Sequence, residues 1–329
     1  MRNPRRVAIF LGGMSPEHDI SVLSGLEVFK HMSRERWSPF LVRIGRDGTW
    51  QFSKSPDFSN ESFSITEGLT ALLQRTPDVV FPLLHGAYGE DGRFQGLMDY
   101  LHLPYVGSEC LTSALALNKA RARDVLSHAG LRVPEGEELC SPNAVTIEVP
   151  CVIKPMHLGS SVGLRIAHTP KARTAALQHA FNHDHRVLVE AFIQGREFTA
   201  GVIDSLDGPP IALPIVEIRP KTSAFFDYHA KYTPDATDEL CPAPIDNDLR
   251  LTLQAIGLRA HHALGCRHMS RTDVIVTPAG IPYVLETNTL PGMTSTSLLP
   301  QAAEVHGLGF PELLDHLLHL ALGRPAPKS

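Results

Sequence analysis

The chain of 329 residues is 43% apolar, 20% charged and 7% aromatic, a balance that excludes disordered, fibrous and membrane-spanning classes and fits an ordinary globular protein. Thirty Lys and Arg against 35 Asp and Glu give a formal charge of −5 without a basic block, which argues against nucleic acid or an acidic lipid surface as a partner. Length allows two or three domains at about 150 residues each, and five cysteines without a C-x-x-C pair point to a reducing, cytoplasmic compartment rather than a disulfide scaffold or zinc ribbon.

The start, MRNPRR then VAIFLGGM, superficially resembles a signal peptide, but its apolar stretch of about eight residues stops before Glu17, His18 and Asp19. It reads as a first strand, Val7 to Leu11, followed by a helix from Ser21 to Met32 and a strand from Phe40 to Ile44. That alternation is a βαβ unit and predicts a parallel sheet. The next apolar run, Val79 to Leu84, ends in HGAYGEDG at 85 to 92, a glycine-rich loop at a strand's carboxyl end, where open α/β sheets bind ligands.

After Gly107 the spacing of Leu111, Leu115, Ala122, Val125, Leu126 and Ala129 predicts one amphipathic helix stopped by Gly130. From Val152 on, short runs rich in β-formers (CVIK, VGLRIA, VLVEAFI, FTAGVI, IALPIVEI, DVIV and YVLE) predict an antiparallel, α+β half. Arg219 to Asp248 has little periodicity and reads as a long loop of the lid type. A last helix from Pro311 to Leu322, with Gly323 beyond it, reads as a packing element.

Three stretches carry chemistry, each beside a plainer reading. Leu158 to Gly163, LGSSVG, offers backbone N–H groups to phosphate, or forms only the turn of a hairpin; it also matches the G-x-S-x-G nucleophile elbow with Ser161, although no strand enters and no helix leaves it directly. Arg271-Thr272-Asp273 and Glu286-Thr287-Asn288 flank a turn at Pro278 to Pro282, so antiparallel pairing would bring Asp273 beside Glu286 and Asn288. Such a trio suits Mg²⁺, or is a solvated hairpin face. Glu17, His18 and His85 follow strand ends, where side chains can meet a cleft; His179, His183, His185 and His229 lack metal-site spacing and read as surface residues.

Together these stretches, in this order, resemble the D-alanine:D-alanine ligases of the ATP-grasp superfamily nearly end to end. The resemblance is carried by GGMSPEH at 12 to 18 with Ser21, LHGAYGEDG with Gly96, PYVGS at 104 to 108, Lys119, IKP then LGSSVG, Glu190 with Gly195-Arg196-Glu197, FFDYHAKY, and SRTD followed by LETNTLPGMTSTS. It implies a three-domain ATP-grasp architecture: an N-terminal α/β domain over 1–107 with a parallel βαβ core, a central subdomain over 108–190, and a C-terminal subdomain over 191–329 with the lid at 219–248.

The resemblance further implies ATP-dependent joining of two D-alanines through a D-alanyl phosphate, in the cytoplasm, for peptidoglycan synthesis. Lys119, Lys154 and the loop with Ser161 would hold ATP phosphates; Glu190 and the backbone near Phe192 would meet adenine, and Glu197 the ribose. Asp273, Glu286 and Asn288 would hold two Mg²⁺, with Mn²⁺ as a substitute. Glu17, with His85 beside it, would bind the first D-alanine and, through Ser160 and Tyr232, close the lid. Lys231, Ser297 and the backbone of Leu298 would hold the second carboxylate, while Arg271 and the Gly292 N–H would stabilise the oxyanion. Neither membrane nor nucleic acid is implied, and a homodimer is compatible. His229 stands where the family usually has an acidic residue, and Tyr232 favours an amino-acid acceptor, D-serine included. A nucleotide-binding protein that has lost the ligation is the alternative of another class.

Overall fold

In the computed structural model, residues 4–59, 61–142, 145–159, 162–221 and 237–323 are described. The chain opens with β1 (Arg5–Gly12), α1 (His18–His31), β2 (Trp37–Ile44), β3 (Trp50–Ser53), α2 (Ile65–Gln74), β4 (Val79–Pro82) and α3 (Arg93–Tyr100). β1 lies between β2 and β4, parallel to both, while β3 adds to β2 antiparallel. The βαβ expectation therefore holds, and the antiparallel edge strand is an addition that the sequence reading did not contain. β1 runs fully buried from Val7 to Leu11, as a central strand covered on both faces must.

Two helices follow where one was expected: α4 (Cys110–Leu117) and α5 (Lys119–His128). Asn118 leaves the helical region with ψ 94, and its side chain accepts the Arg121 N–H, so it ends one helix and caps the next. The predicted single apolar face breaks with it, and Leu111 is 79% exposed. Gly130 does end α5, at φ +78.

The central sheet comprises β5 (Gly136–Leu139), β6 (Cys151–Pro155), β7 (Arg165–Ala167) and β8 (Val187–Ala191) in the order β5-β8-β6-β7, all antiparallel, with α6 (Pro170–Phe181) packed on it. Residues 156–164 join β6 to β7 as a hairpin connection. The nucleophile-elbow reading of Ser161 thereby fails, because a strand and not a helix follows the loop.

The C-terminal sheet is built from β9 (Arg196–Ile203), β10 (Ile211–Ala212), β11 (Val216–Pro220), β12 (Thr237–Leu240), β13 (Met269–Val276) and β14 (Pro282–Asn288), antiparallel in the order β12-β11-β9-β13-β14 with β10 beside β9. Part of the stretch expected as a loop over 219–248 is regular structure. Thr237–Leu240 pairs with β11, and Asp246 caps α7 (Asn247–Leu264), which ends at Gly265 with φ +71. Ser160, Ser161, His229, Lys231 and Tyr232 lie outside the described residues.

α8 (Leu298–Val305) and α9 (Phe310–Gly323) close the chain. α9 packs as expected, but on the far end of the sequence: Leu313, Leu314, Leu317 and Leu318 join one core with Val7, Ile9, Phe81, Ile203 and Leu298, and Asp315 accepts a 2.8 Å bond from the Trp37 indole N–H. The N- and C-terminal sheets are thus bound by shared apolar packing around the last helix.

Candidate active site

Glu17 stands immediately before α1, at the carboxyl end of β1, and is only 6% exposed. The Ser21 hydroxyl bonds β1 to the chain leaving β4, accepting from the Gly12 N–H at 2.8 Å and donating to the Leu83 carbonyl at 2.6 Å. Ser15 Oγ donates to the His85 carbonyl at 2.6 Å and accepts the Glu17 N–H at 3.2 Å. Two serines therefore lock the loops carrying Glu17 and His85 together, although the strands that present them are some seventy residues apart in sequence.

His85 is 8% exposed, and its Nε2 is buried without a hydrogen-bond partner among the described residues. Burial, with help from Arg271 and against Glu17, lowers its pKa, so the ring is neutral near neutral pH. Glu90 was not singled out by the sequence reading. Its carboxylate accepts the Gly86 N–H at 2.6 Å, and burial together with repulsion from Glu17 pushes its pKa up to about 8. The signal was there: an acidic residue in a glycine-rich loop at a strand end.

A second group of residues lines a cleft between the central and C-terminal sheets, enclosing about 920 Å³ of space including its open mouth. Lys119, Lys154, Glu190, Phe192, Glu197, Asp273 and Glu286 all face it, with Val152, Ile166, Ile193 and Leu285 as apolar wall. Lys154 on β6 reaches Glu190 on β8 across the pair at 2.6 Å, both side chains nearly dry. Burial would depress the Lys154 pKa, but Glu190 and Glu286 outweigh it and the net shift is upward, so this amine stays charged. Lys119, the first residue of α5, donates to the Leu158 carbonyl at 2.6 Å; burial and the neighbouring Lys154 lower its pKa against the pull of Glu286. The N–H groups of Ala191 and Phe192 donate to the Glu135 and Pro150 carbonyls.

The hairpin of β13 and β14 pairs Asp273 with Glu286 and Arg271 with Asn288, with a bulge just after Asp273. The predicted juxtaposition is therefore present, with Asn288 Nδ2 at 3.5 Å from Asp273 Oδ2. Arg271 forks onto Asp273, Nε to Oδ1 at 2.8 Å and Nη2 to Oδ2 at 2.9 Å, an ion pair that the reading of these residues as separate tasks did not anticipate. No cluster of three or more His, Cys, Asp or Glu is gathered tightly enough to hold a metal unaided among the described residues. Two carboxylates and an amide oxygen are nevertheless hard donors of the kind Mg²⁺ takes alongside water and phosphate.

At the other end, Ser297 precedes α8, with its Oγ 2.7 Å from Thr294 Oγ1, and Gly292 lies so close that a methyl group there would meet that Oγ at 2.9 Å. Leu298 begins the helix, whose N-terminal N–H groups suit a carboxylate. The His18 ring bonds the Gly13 carbonyl at 2.7 Å.

The two groups of residues meet at one glycine. Gly159 lines the cleft, and a methyl group added there would sit 2.9 Å from Glu17 Oε2. Glu17 also acts electrostatically on Lys119, and Arg271 on His85 and Glu90. Segments from all three sheets thus converge on one polar centre.

Comparison with known proteins agrees with that geometry. The family described as D-ala D-ala ligase N-terminus matches residues 6–108, and that described as D-ala D-ala ligase C-terminus matches residues 119–319. The D-alanine–D-alanine ligase of Syntrophobacter fumaroxidans is 40% identical over 326 residues, covering 96% of this chain and 97% of the relative. Among solved structures, the D-alanine-D-alanine ligase of Coxiella burnetii superposes with a TM-score of 0.82 at 28% identity, covering 98% of this chain and 94% of that one. The Bacillus anthracis enzyme complexed with ATP gives 0.78 at 30% identity, over 98% of each chain.

Proposed function

The chain belongs to the D-alanine–D-alanine ligase family, an ATP-dependent ligase with the ATP-grasp architecture, and from that premise we propose how its own residues join two D-alanines. The first D-alanine lies with its ammonium on Glu17, beside neutral His85, so that its carboxylate faces the terminal phosphate of ATP in the cleft. One carboxylate oxygen attacks the γ-phosphorus, the bond to the β-phosphate oxygen breaks, and ADP leaves with D-alanyl phosphate formed. The deprotonated amine of the second D-alanine then attacks the acyl carbon, the carbon–oxygen bond to the phosphate breaks, and the proton shed by the nitrogen leaves with inorganic phosphate, giving D-alanyl-D-alanine for peptidoglycan synthesis.

Lys119 and Lys154 act as point charges on the phosphates, with Glu190 and the strand end at Phe192 toward the adenine and Glu197 toward the ribose. Asp273, Glu286 and Asn288 are the residues that fit Mg²⁺, or Mn²⁺ in its place; such ions offset charge on a transferring phosphoryl group. Arg271, with the Gly292 N–H, would stabilise the oxyanion of the second step. Ser297 and the α8 N-terminus at Leu298 hold the second carboxylate together with Lys231, and Ser160 and Tyr232 complete the closure over Glu17. The reaction calls for no protein nucleophile, no membrane and no nucleic acid. A cytoplasmic location accords with ATP use, and a homodimer is compatible with the site.

The observation that supports this reading best is the approach of Glu17 to Gly159, which brings a carboxylate able to bind an ammonium to the edge of the nucleotide cleft. Phosphate release with ATP, Mg²⁺ and D-alanine tests it, with D-serine, D-lactate and L-alanine as competing acceptors. D-alanine-dependent release with D-alanyl-D-alanine as product is expected. ATP binding without release would mark a nucleotide-binding protein, and a D-alanyl-D-serine product a D-serine ligase.

A further inference from the structure

The chain leaves the N-terminal sheet at a defined point. Val80 N–H donates to the Pro104 carbonyl at 2.8 Å and Val106 N–H to the Val80 carbonyl at 3.0 Å. The next N–H, that of Gly107, donates instead to Nδ1 of His268 at 2.9 Å, a residue 161 positions further on. Three more links join the same two segments: Arg267 N–H to Ser108 Oγ at 3.1 Å, Thr112 Oγ1 to the Gly265 carbonyl at 3.0 Å, and an ion pair of Arg267 with Glu109.

His268 is fully buried and has φ +64, a left-handed backbone that a non-glycine side chain adopts seldom and only where its surroundings enforce it. Here Asp204 enforces it, accepting the His268 N–H at 2.7 Å and the His261 ring at 3.1 Å, while the other nitrogen of that ring meets Ser270 Oγ at 2.8 Å. Burial would raise the Asp204 pKa, but the hydrogen bonds it accepts from the His261 ring and the His268 N–H hold it down to about 2. His316 of α9 bonds the Asp204 carbonyl at 2.7 Å. Glycine would take the same backbone without strain but offers no acceptor to Gly107.

We infer that His268 is a positioning residue: through its bond to Gly107 it fixes the N-terminal sheet, and with it Glu17, against β13, whose Arg271 and Asp273 begin three residues later. The inference rests on the proposed division of the site between Glu17 and β13. Nδ1 accepts the Gly107 N–H, so this link needs an acceptor at that atom, and a donor in its place would break it. The titratable and charged groups around it are Asp204, His261, His316, the Arg267–Glu109 pair and Cys266, whose thiol burial pushes up to about 12 and keeps neutral. A misplacement of an ångström between reacting groups can cost about a hundredfold in rate, so a loosened hinge should be read in kcat rather than in ATP binding.

The test compares His268→Gly with His268→Asn in the full-length chain. Asparagine tolerates the left-handed region and places Oδ1 where His268 has Nδ1, without titrating. His268→Gly should lower the thermal midpoint, because it empties a buried site, but keep the KM for ATP while kcat for dipeptide formation falls about tenfold. His268→Asn should restore kcat to within twofold at unchanged KM for ATP. A His268→Gly enzyme with parental kcat, or a folded His268→Asn enzyme as slow as His268→Gly, overturns the inference. Should His268→Gly fail to fold, Ser108→Ala, which removes the neighbouring link, decides: a kcat loss at unchanged ATP KM supports the inference and an unchanged kcat overturns it. Failure of the wild-type chain to make dipeptide would instead count against the proposed function.

Discussion

Glu90 shows how one carboxylate can make stability depend on pH. Its pKa in the fold is about 8 against an ordinary 4.5, because burial and the neighbouring Glu17 disfavour the charged form. Below pH 4.5 the group is protonated folded and unfolded, and its contribution is fully present. Between 4.5 and 8 only the folded chain keeps the proton, so stability falls as pH rises and the contribution is gone above 8. Glu90→Gln cannot ionise and still accepts the Gly86 N–H; thermal midpoints measured from pH 5 to pH 9 should therefore decline less steeply than in the parent. Parallel curves would mean that Glu90 already carries its charge at neutral pH. Among site residues, Asp273 and Glu286 were legible in sequence, because strand periodicity and a short turn fix their register. The fork of Arg271 onto Asp273 was not: whether an arginine two residues away on one strand turns back onto its neighbour depends on side-chain rotamers and surrounding charge, which spacing does not encode. His268 was invisible for a related reason, since its meaning lies in a positive φ and in a partner 161 residues away.

At the scale of elements, the parallel start and antiparallel remainder followed from hydrophobic patterning, whereas the breaks did not. Nothing in the apolar spacing of 111 to 129 announced that Asn118 would serve as the end of one helix and the cap of the next. α6 and α7 carry the usual start signals, Thr169 before Pro170 and Asp246 before Asn247, yet they sit among short β-rich runs that hid them. α9 was read correctly as a packing helix, but its partner was out of reach because packing across three hundred residues leaves no local trace. Leu317 is fully buried in the core shared with Val7, Ile9 and Phe81. Leu317→Ala should therefore cost about 3 kcal/mol, the usual range for a buried leucine whose cavity does not collapse. Urea titration followed by tryptophan fluorescence would measure it, since Trp37 bonds Asp315 on the same helix; a cost under about 1 kcal/mol would show that the helix adds little to the N-terminal core.

For the whole molecule, the division of labour among the sheets carries its own consequence. Every described residue lining the cleft between the central and C-terminal sheets lies between Lys119 and Glu286, while Glu17 belongs to the first sheet and approaches that cleft at Gly159. Nucleotide binding should then be independent of Glu17, and D-alanine binding should not. A ligand at a hundred times its Kd stabilises the folded state by about 2.7 kcal/mol, enough to raise the thermal midpoint by a few degrees. With a non-hydrolysable ATP analogue and Mg²⁺, Glu17→Gln should shift as far as the parent. The further rise on adding D-alanine should appear in the parent and vanish in the variant, because the neutral amide cannot pair with the substrate ammonium inside a buried pocket. Loss of the nucleotide shift would place Glu17 within the cleft itself. Retention of the D-alanine shift would mean that the ammonium is held by a group other than Glu17.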